Sequence, residues 1–384
     1  MGATGDSGSD GGGSFRDEFS SKYREEGSKI GAFNLAVFGL TGVGKSTLIN
    51  SIFGRGVAAT GTGQPVTQGS HLYVHDSGLF GVFDTAGVEL GQSYDTVLGD
   101  VRAFVEAQRS HPLSDQIHVA YYCVRSTNFR MQEFEEQFVR ELHSMGLPVI
   151  LVLTQVPKKG EQYHPKVLEL AQHIYQLGLP IYLGRPLLTN ALADPVLGFD
   201  VHGLKELLDA TFDAAPDGVA AALAAVQRID MARKRDAANK RIAVAVTAAT
   251  AAGASPIPFS DAALLVPIQA GMMAAIAITY DIAIDTALAA SLAATGLATQ
   301  AGRAVALNLI KLIPGGGSVV GGTISAGVAA SFTYAMGRSW REICEGIATG
   351  RFGAQAALNS GDIKAAFLEE FKRQFSRVGK KENS

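Results

Sequence analysis

A glycine-rich loop near the start of the chain has the residue types and spacing of a phosphate-binding site. Gly39, Gly44, Lys45 and Ser46 occupy the fixed places of the pattern G-x-x-x-x-G-K-[ST]. Glycines allow the positive φ angles that turn backbone N–H groups toward a ligand, and such a ring of N–H groups at a helix N-terminus attracts phosphate. The lysine can reach the β- and γ-phosphates, and the serine hydroxyl can ligate Mg²⁺.

The residues around this loop favour nucleotide binding over a glycine turn that only joins two elements. A short apolar strand, Asn34–Phe38, is predicted before the loop, and a helix, Ser46–Phe53, is predicted after it, as the motif requires. The residues expected to contact the nucleotide here are Gly39, Leu40, Thr41, Gly42, Val43, Gly44, Lys45, Ser46 and Thr47.

A second motif, D-x-x-G, follows the apolar segment that begins at Leu79. Its fixed residues are Asp84 and Gly87. Ligands of open α/β sheets bind at the carboxyl ends of the strands. We therefore expect the Asp84 carboxylate to hold Mg²⁺ through water and the Gly87 N–H to meet a γ-phosphate.

The loop between these motifs is rich in glycine and threonine. Such a loop can order around Mg²⁺ and γ-phosphate and relax after hydrolysis. We predict Thr67 as the threonine that ligates Mg²⁺, with Thr60 and Thr62 as alternatives, and a threonine with no metal role as the remaining alternative. The predicted metal ligands are thus Ser46, Thr67 and Asp84, and the predicted catalytic groups are Lys45, Thr67 and Gly87.

Alternating strands and helices from Ile30 to about Pro216 predict a mostly parallel sheet covered on both faces. Uninterrupted apolar runs are typical of such doubly buried strands. The predicted strands are Asn34–Phe38, His71–His75, Leu79–Asp84, His118–Arg125, Pro148–Thr154 and Ile181–Leu183, and the predicted helices are Ser46–Phe53, Tyr94–Arg109, Met131–Met145, Pro165–Leu177 and Leu204–Phe212.

Composition limits the other possibilities. The 384-residue chain is long enough for two domains, and its net charge of −3 argues against nucleic acid as a partner. Two cysteines are too few for a disulfide framework, and no signal peptide is evident, which favours the cytoplasm. We predict a disordered tail and short helix over residues 1–29, with Phe15, Phe19 and Tyr23 packing on the domain that follows.

The motif residues resemble those of the translation-factor-related GTPases, specifically the Era/TrmE-like small G domains. The resemblance rests on Gly39–Asn50, Asp84–Gly87, Ala120–Ser126 and Ile150–Pro157, and it covers roughly residues 30–214. It implies an α/β P-loop G domain that binds GTP and GDP with Mg²⁺ and hydrolyses GTP.

One departure from that family concerns recognition of the base. The family uses [NT]-K-x-D, whose carboxylate accepts N–H donors of guanine, whereas this chain has Thr154-Gln-Val-Pro157. Either guanine preference is weakened, or Glu161 reaches in from the next loop. Thr189-Asn-Ala191 loosely fits the family's fifth motif. The residues expected near the base are therefore Thr154, Gln155, Asn190 and Ala191, and GTP is favoured over ATP.

A second departure concerns hydrolysis. Val88 stands where many G domains place a glutamine that orients water, so slow intrinsic hydrolysis is expected. Glu89 and Gln92 are either polar groups that replace the glutamine or solvated loop residues. Arg125 and Arg130 are either arginine fingers or side chains that are solvated or pair with nearby glutamates, namely Glu133, Glu135 or Glu136. We predict a regulatory GTPase. A nucleotide-binding scaffold with little hydrolysis and an ATPase are the alternatives.

The last part of the chain, residues 219–384, is predicted to be an all-α domain rich in alanine and glycine. Val219–Arg241 is expected to form one helix after the linker Asp213–Gly218, and uncharged runs follow. Ile257-Pro258 recurs as Ile313-Pro314 in what we interpret as a repeat of two helical hairpins.

This part resembles domain of unknown function 697, found behind small G domains and in inner-membrane proteins of the YcjF type. Two interpretations remain: a packed helical bundle, or segments of residues 242–337 that enter or lie on a bilayer, peripherally or integrally at its inner face. The partners left open are guanine nucleotide, a membrane, a second copy of the chain and a protein effector.

Overall fold

The structure is a computed structural model that describes residues 10–54, 64–67, 70–75, 77–85, 94–253, 261–283, 326–352 and 360–381. It divides into two compact units. The first, called the sheet unit here, is Ile30–Asp230, and the second, called the helical unit, combines residues 1–29 with residues 231–384. The predicted linker Asp213–Gly218 lies inside the sheet unit, which continues to Asp230.

The sheet unit is built on seven strands in the order β2-β3-β4-β1-β5-β6-β9, with a separate two-stranded hairpin, β7-β8. The strands are β1 Phe33–Phe38, β2 Gln64–Thr67, β3 Ser70–Val74, β4 Phe80–Thr85, β5 Val119–Arg125, β6 Val149–Thr154, β7 Lys158–Lys159, β8 Gln162–Tyr163 and β9 Leu187–Leu188. The helices of the whole chain, as far as described, are α1 Asp10–Ile30, α2 Lys45–Phe53, α3 Tyr94–Gln108, α4 Glu133–Ser144, α5 Pro165–Gln176, α6 Leu204–Ala214, α7 Ala220–Val226, α8 Met231–Gly253, α9 Asp261–Thr279, α10 Ala326–Ala348 and α11 Ser360–Lys381.

The predicted α/β fold with a mostly parallel sheet, followed by a helical region, is confirmed. Strand β1 pairs in parallel with β4 and β5, β5 pairs with β6, and β6 pairs with β9. Strands β2 and β3 are antiparallel additions at one edge. Every residue of β1 and β6 is buried, because helices cover both faces. The carboxyl ends of β1, β4, β5 and β6 therefore lie along one edge of the sheet.

The last predicted strand, Ile181–Leu183, is wrong. Tyr182–Gly184 forms a short 3₁₀ turn, in which Leu183 has a left-handed φ of 63° that a strand cannot contain. The edge strand is instead β9, Leu187–Leu188, paired with Val152 and Leu153 of β6. Short apolar runs do not by themselves distinguish these conformations.

The predicted single helix Val219–Arg241 is also wrong, since it is interrupted between α7 and α8. Gln227 has an extended ψ of 150°, and its side-chain Oε1 accepts hydrogen bonds from the N–H groups of Ile229 at 2.9 Å and Asp230 at 2.7 Å. The Arg228 N–H donates to the Ile52 carbonyl of α2. Side-chain bonds to the local backbone and a contact with a distant helix thus replace helical hydrogen bonds here.

The helical unit packs around α9, which explains the apolar sequence of that segment. Seven consecutive residues, Met272–Ile278, are buried, so all faces of α9 contact protein. Gly337 allows α10 to approach closely, because an added Cβ would lie inside 3.0 Å of Met272 Sδ and Ile242 Cγ1. Among the described residues, no helix has both the length and the hydropathy needed to cross a bilayer.

Helix α1 belongs to the core of the helical unit, and the prediction that its aromatic stripe packs on the sheet domain is wrong. Phe15 and Phe19 are buried with Trp340 and Phe371 in one cluster. The Tyr23 hydroxyl donates to the Ile282 carbonyl at 2.7 Å. The two Ile-Pro segments that indicate the predicted repeat lie outside the described residues.

An ion pair between a half-exposed arginine and a buried glutamate joins α8 to α10. The Arg235 guanidinium donates to both carboxylate oxygens of Glu345, at 2.7 and 2.5 Å, and the Tyr280 hydroxyl donates to the same carboxylate at 3.3 Å. Glu345 is 3% exposed. Its carboxylate is held by two donor groups, so its charge is compensated inside the unit.

We predict that Glu345→Gln lowers the free energy of unfolding of the helical unit by about 1–3 kcal/mol, because a charge-assisted bidentate pair is lost. The chain has a single tryptophan, Trp340, which is buried in this unit, so its fluorescence during urea unfolding reports the change. The matched control is Glu25→Gln, which removes an exposed pair with Lys29 and should have little effect. Equal effects of the two substitutions would contradict the assignment.

The same pair should make stability depend on pH. The Arg235 guanidinium lowers the pKa of Glu345 below its usual value. The pair therefore stabilises the folded state above the ordinary glutamate pKa of about 4.3 and loses this contribution as the pH falls through the lowered pKa. The difference between the wild type and Glu345→Gln should shrink on acidification.

Candidate nucleotide-binding site

The loop between β1 and α2 is held in a conformation that requires glycine. Gly39, Gly42 and Gly44 have φ angles of 134°, 78° and 97°, all in the region that side chains disfavour. Gly39 also lies directly against β5, because an added Cβ would come well inside 3.0 Å of the Cys123 carbonyl oxygen. The loop therefore turns sharply and packs directly against β5.

Positive charge is concentrated where this loop meets α2. The helix begins at Lys45 with no acidic residue in its first turn, so its N-terminal N–H groups and dipole are uncompensated by a carboxylate of that turn. The Lys45 ammonium donates to the carbonyls of Gly39 at 2.9 Å and Leu40 at 3.1 Å, which places it within the loop. Ser46 and Thr47 are exposed in the same turn. This arrangement suits a phosphate group.

The end of β6 closes the loop from the other side. The buried Thr154 hydroxyl donates to the Val43 carbonyl at 2.5 Å. Gln155, with a left-handed φ of 52°, extends its amide to the Gly42 carbonyl at 3.4 Å, while its own carbonyl accepts from the Ser126 hydroxyl at 3.0 Å. Thr154 and Gln155 thus tie the phosphate loop to the loops that follow β5 and β6.

A single cavity of about 500 Å³ connects the start of α2 to the loops after β6 and β9. This volume lies within the usual range for small-molecule sites. Of the residues predicted to contact the nucleotide, the structure brings together around this cavity Gly44, Thr47, Thr154, Gln155, Asn190 and Ala191. Apolar side chains from the later loops complete the wall, namely Pro157, Leu192, Pro195, Leu197 and Phe199.

Within the loop after β9, Asn190 and Ala191 have different roles. The Asn190 backbone N–H donates to the His202 carbonyl, and its side-chain amide donates to the carbonyls of Leu192 and Asp200. Its N–H donors therefore hold the loop together. The Ala191 carbonyl accepts from the Ser51 hydroxyl of α2, whereas its N–H has no partner among the described residues.

The D-x-x-G motif is placed by its backbone. Asp84 lies in register with Val37 of β1, at the carboxyl end of β4 and thus beside the phosphate loop. Thr67 ends β2 and pairs with Ser70. The side chains of Asp84 and Thr67 lie outside the part of the chain that is described, and so do all of Thr60, Thr62, Gly87, Val88, Glu89 and Gln92.

Three charged residues considered from the sequence lie in different places. Arg125 lines the cavity and donates to the Thr127 hydroxyl at 3.0 Å. Arg130 lines another pocket, beside α5. The Glu161 side chain is 98% exposed at the turn of the β7-β8 hairpin, where it pairs with Lys158, and it does not line the cavity. Asp194, which sequence reasoning missed, does line it.

Comparison with known proteins agrees with this geometry. Residues 34–155 match the family model described as 50S ribosome-binding GTPase. Residues 34–155 have the fold of a P-loop GTPase domain. The chain is 30% identical over 188 residues to GTPase Der of Streptomyces coelicolor, and 28% identical over 188 residues to GTPase Der of Halalkalibacterium halodurans. These matches cover 48% of this chain but only 35% and 37% of the two relatives.

Solved structures with a similar chain path are more distant. A single-residue variant of Aquifex aeolicus Era, bound to GDP.AlF4-, has 17% identity and a TM-score of 0.35 over 60% of this chain and 70% of its own. Translation elongation factor SelB from Methanococcus maripaludis, in its apo form, has 19% identity and a TM-score of 0.31 over 48% of this chain and 35% of its own. At these TM-scores the likeness carries no further weight, and the GTPase assignment rests on the sequence matches.

We predict that Gly39→Ala weakens GTP binding much more than Gly42→Ala. Both positions have positive φ, which costs alanine about 1–2 kcal/mol, but only at Gly39 would the added methyl group also collide with backbone, whereas nothing lies within 4 Å at Gly42. Equilibrium titration with labelled GTP should show a loss above roughly tenfold for Gly39→Ala beyond that for Gly42→Ala. Equal losses would contradict the seating of the loop on β5.

Proposed function

We propose that this protein is a regulatory GTPase that binds GTP and GDP with Mg²⁺ and couples its nucleotide state to the helical unit. The observation that carries the proposal is the phosphate loop itself, with three glycines at positive φ and the Lys45 ammonium inside the loop. It occurs in a segment, residues 34–155, that matches a GTPase family model.

Bound Mg²⁺ would be held by Ser46, Thr67 and Asp84. The position of Ser46 in the exposed first turn of α2 and the register of Asp84 with Val37 support this set. When bound, the ion would supply positive charge to the β- and γ-phosphates. The residues of the chain would contribute the Lys45 ammonium, the N–H groups of residues 39–47 and the Gly87 N–H, which together stabilise phosphate charge electrostatically.

Slow intrinsic hydrolysis is part of the proposal, because the valine side chain at position 88 cannot form a hydrogen bond to water. On this view, switching between nucleotide states matters more than turnover. A scaffold that binds nucleotide with little hydrolysis is the second candidate, and the same Val88 favours it. Single-turnover GTP hydrolysis, measured with and without lipid vesicles, distinguishes the two.

The proposal also includes a preference for GTP over ATP, and the alternative is that the protein is an ATPase. The GTPase matches favour GTP, whereas Pro157 removes the carboxylate on which guanine recognition usually depends. Competition of ATP against labelled GTP decides between them.

The helical unit is proposed as the part of the protein that responds to the nucleotide state. Its identity as domain of unknown function 697, and its contact with a membrane, a second copy or a protein effector, stay predictions. Its tightly packed core, with a partly buried ion pair between α8 and α10, supports a unit that moves as one body when it transmits a change.

We predict that Lys45→Ala lowers GTP affinity by at least about 30-fold, because a charge in contact with the phosphates is removed. Equilibrium binding of labelled GTP, with and without Mg²⁺, measures the change. The control is Lys205→Ala, which removes the same charge from an exposed ion pair with Asp209 and should leave binding unchanged. Tight GTP binding by Lys45→Ala would contradict the proposal that this loop binds the phosphates.

We also predict that Trp340 fluorescence differs between the GTP-bound and GDP-bound protein. The tryptophan lies in the helical unit, where its indole N–H donates to the Met273 carbonyl at 2.8 Å. Since the sheet unit contains no tryptophan, any change must arise in the helical unit. Identical emission spectra in both nucleotide states, with binding demonstrated, would instead favour the scaffold.

A further inference from the structure

Recognition of guanine requires an acceptor that this chain lacks at the usual position. The ring N1–H and the 2-amino group of guanine are donors on one edge, and a donor left unpaired in a buried site costs about 1–3 kcal/mol. In the loop after β6, the position expected to carry the carboxylate is Pro157, which has none. Glu161, the next acidic residue along the chain, does not line the cavity and is paired with Lys158 at 3.4 Å.

Asp194 is the single acidic residue among the described residues that line the cavity. It follows the Thr189-Asn-Ala191 segment and faces the same space as Pro157 and Gln155. Its backbone is fixed by paired hydrogen bonds with Phe199, in which each N–H donates to the other's carbonyl at 2.8 and 3.0 Å. These hydrogen bonds therefore fix the position of the Asp194 backbone within the loop.

One carboxylate oxygen of Asp194 is engaged and the other is available. Oδ1 accepts the backbone N–H groups of Val196 and Leu197, both at 3.0 Å. Oδ2 has no partner among the described residues, and a carboxylate oxygen can accept two hydrogen bonds. The side chain is thus anchored through one oxygen and presents an acceptor with the other.

We propose that Asp194 supplies the carboxylate that recognises the N1–H and 2-amino edge of guanine, in place of the usual residue after β6. This inference rests on the proposed function, since it names the specificity residue of the same site. The nearby Ala191 N–H, which has no partner among the described residues, suits the guanine O6 acceptor and disfavours the 6-amino donor of adenine.

The walls of the cavity suit a planar ring. Leu192 and Leu197 are 70% and 59% exposed, although both are apolar, and each lines the cavity together with Pro157 and Pro195. Burial of these apolar side chains against the face of a base would be favourable in free energy. These walls bind any purine, so the discrimination between purines falls to Asp194 and Ala191.

The test is Asp194→Asn, measured by equilibrium binding of GTP, ATP and xanthosine triphosphate to the full-length protein. The asparagine Oδ1 can keep the bonds to Val196 and Leu197, so only the available atom changes, from an acceptor to an N–H donor. Guanine then meets a donor opposite its own donors, whereas the C2 carbonyl of xanthine gains a partner. We expect GTP affinity to fall roughly 10- to 100-fold and xanthosine triphosphate affinity to rise relative to GTP.

The matched control is Glu161→Gln, the same acid-to-amide change on the hairpin outside the cavity, which should leave all three affinities unchanged. Wild-type binding of GTP with an unaltered ratio of GTP, ATP and xanthosine triphosphate in Asp194→Asn would overturn the inference but leave the proposed function intact. An equal loss for all three nucleotides would overturn it too, because Asp194 would then act on the loop and not on the base. Wild-type protein that binds no purine nucleotide would overturn the proposed function and this inference with it.

Discussion

The close packing of the phosphate loop on its neighbouring strands is the constraint on which the rest of the site depends. Gly39 lies so near the Cys123 carbonyl of β5 that no side chain fits, and the buried Thr154 hydroxyl of β6 holds the Val43 carbonyl at 2.5 Å. The loop follows β1, but β5 and β6 hold it in place. Preorganised N–H groups bind phosphate charge without further reorganisation, which is the basis of electrostatic stabilisation in such sites.

The same strands connect the phosphate loop to the other loops that line the cavity. Gln155 follows β6 directly, donates to the Gly42 carbonyl and receives a bond from Ser126 at the end of β5. The loop after β9 is joined to α2 through Ser51 and the Ala191 carbonyl. Hydrogen bonds therefore join the phosphate loop and α2 to the other loops that line the cavity.

In the helical unit, the sequence indicates which segments are buried, whereas the structure shows what covers them. The apolar run that contains Met272–Ile278 has the composition of either a buried helix or a helix in lipid, and periodicity does not separate the two. Burial of all seven residues inside the unit accounts for the run without lipid. Helix α1 shows the same limit, since the stripe of Phe15, Phe19 and Tyr23 indicated a buried face but not which domain would cover it.

The sequence alone determined the phosphate loop, the parallel sheet and most helices, because these depend on glycine spacing, on lysine placement and on apolar runs within a few adjacent residues. Only the tertiary structure decided which strand forms the edge of the sheet and where the helix after Val219 breaks. Tertiary contacts also placed Asp194 on the cavity that Pro157 lines and left Glu161 outside it. The physical reason is that the pairing of β6 with β9 brings the loops after those strands together, and this long-range contact is not recorded in any local pattern.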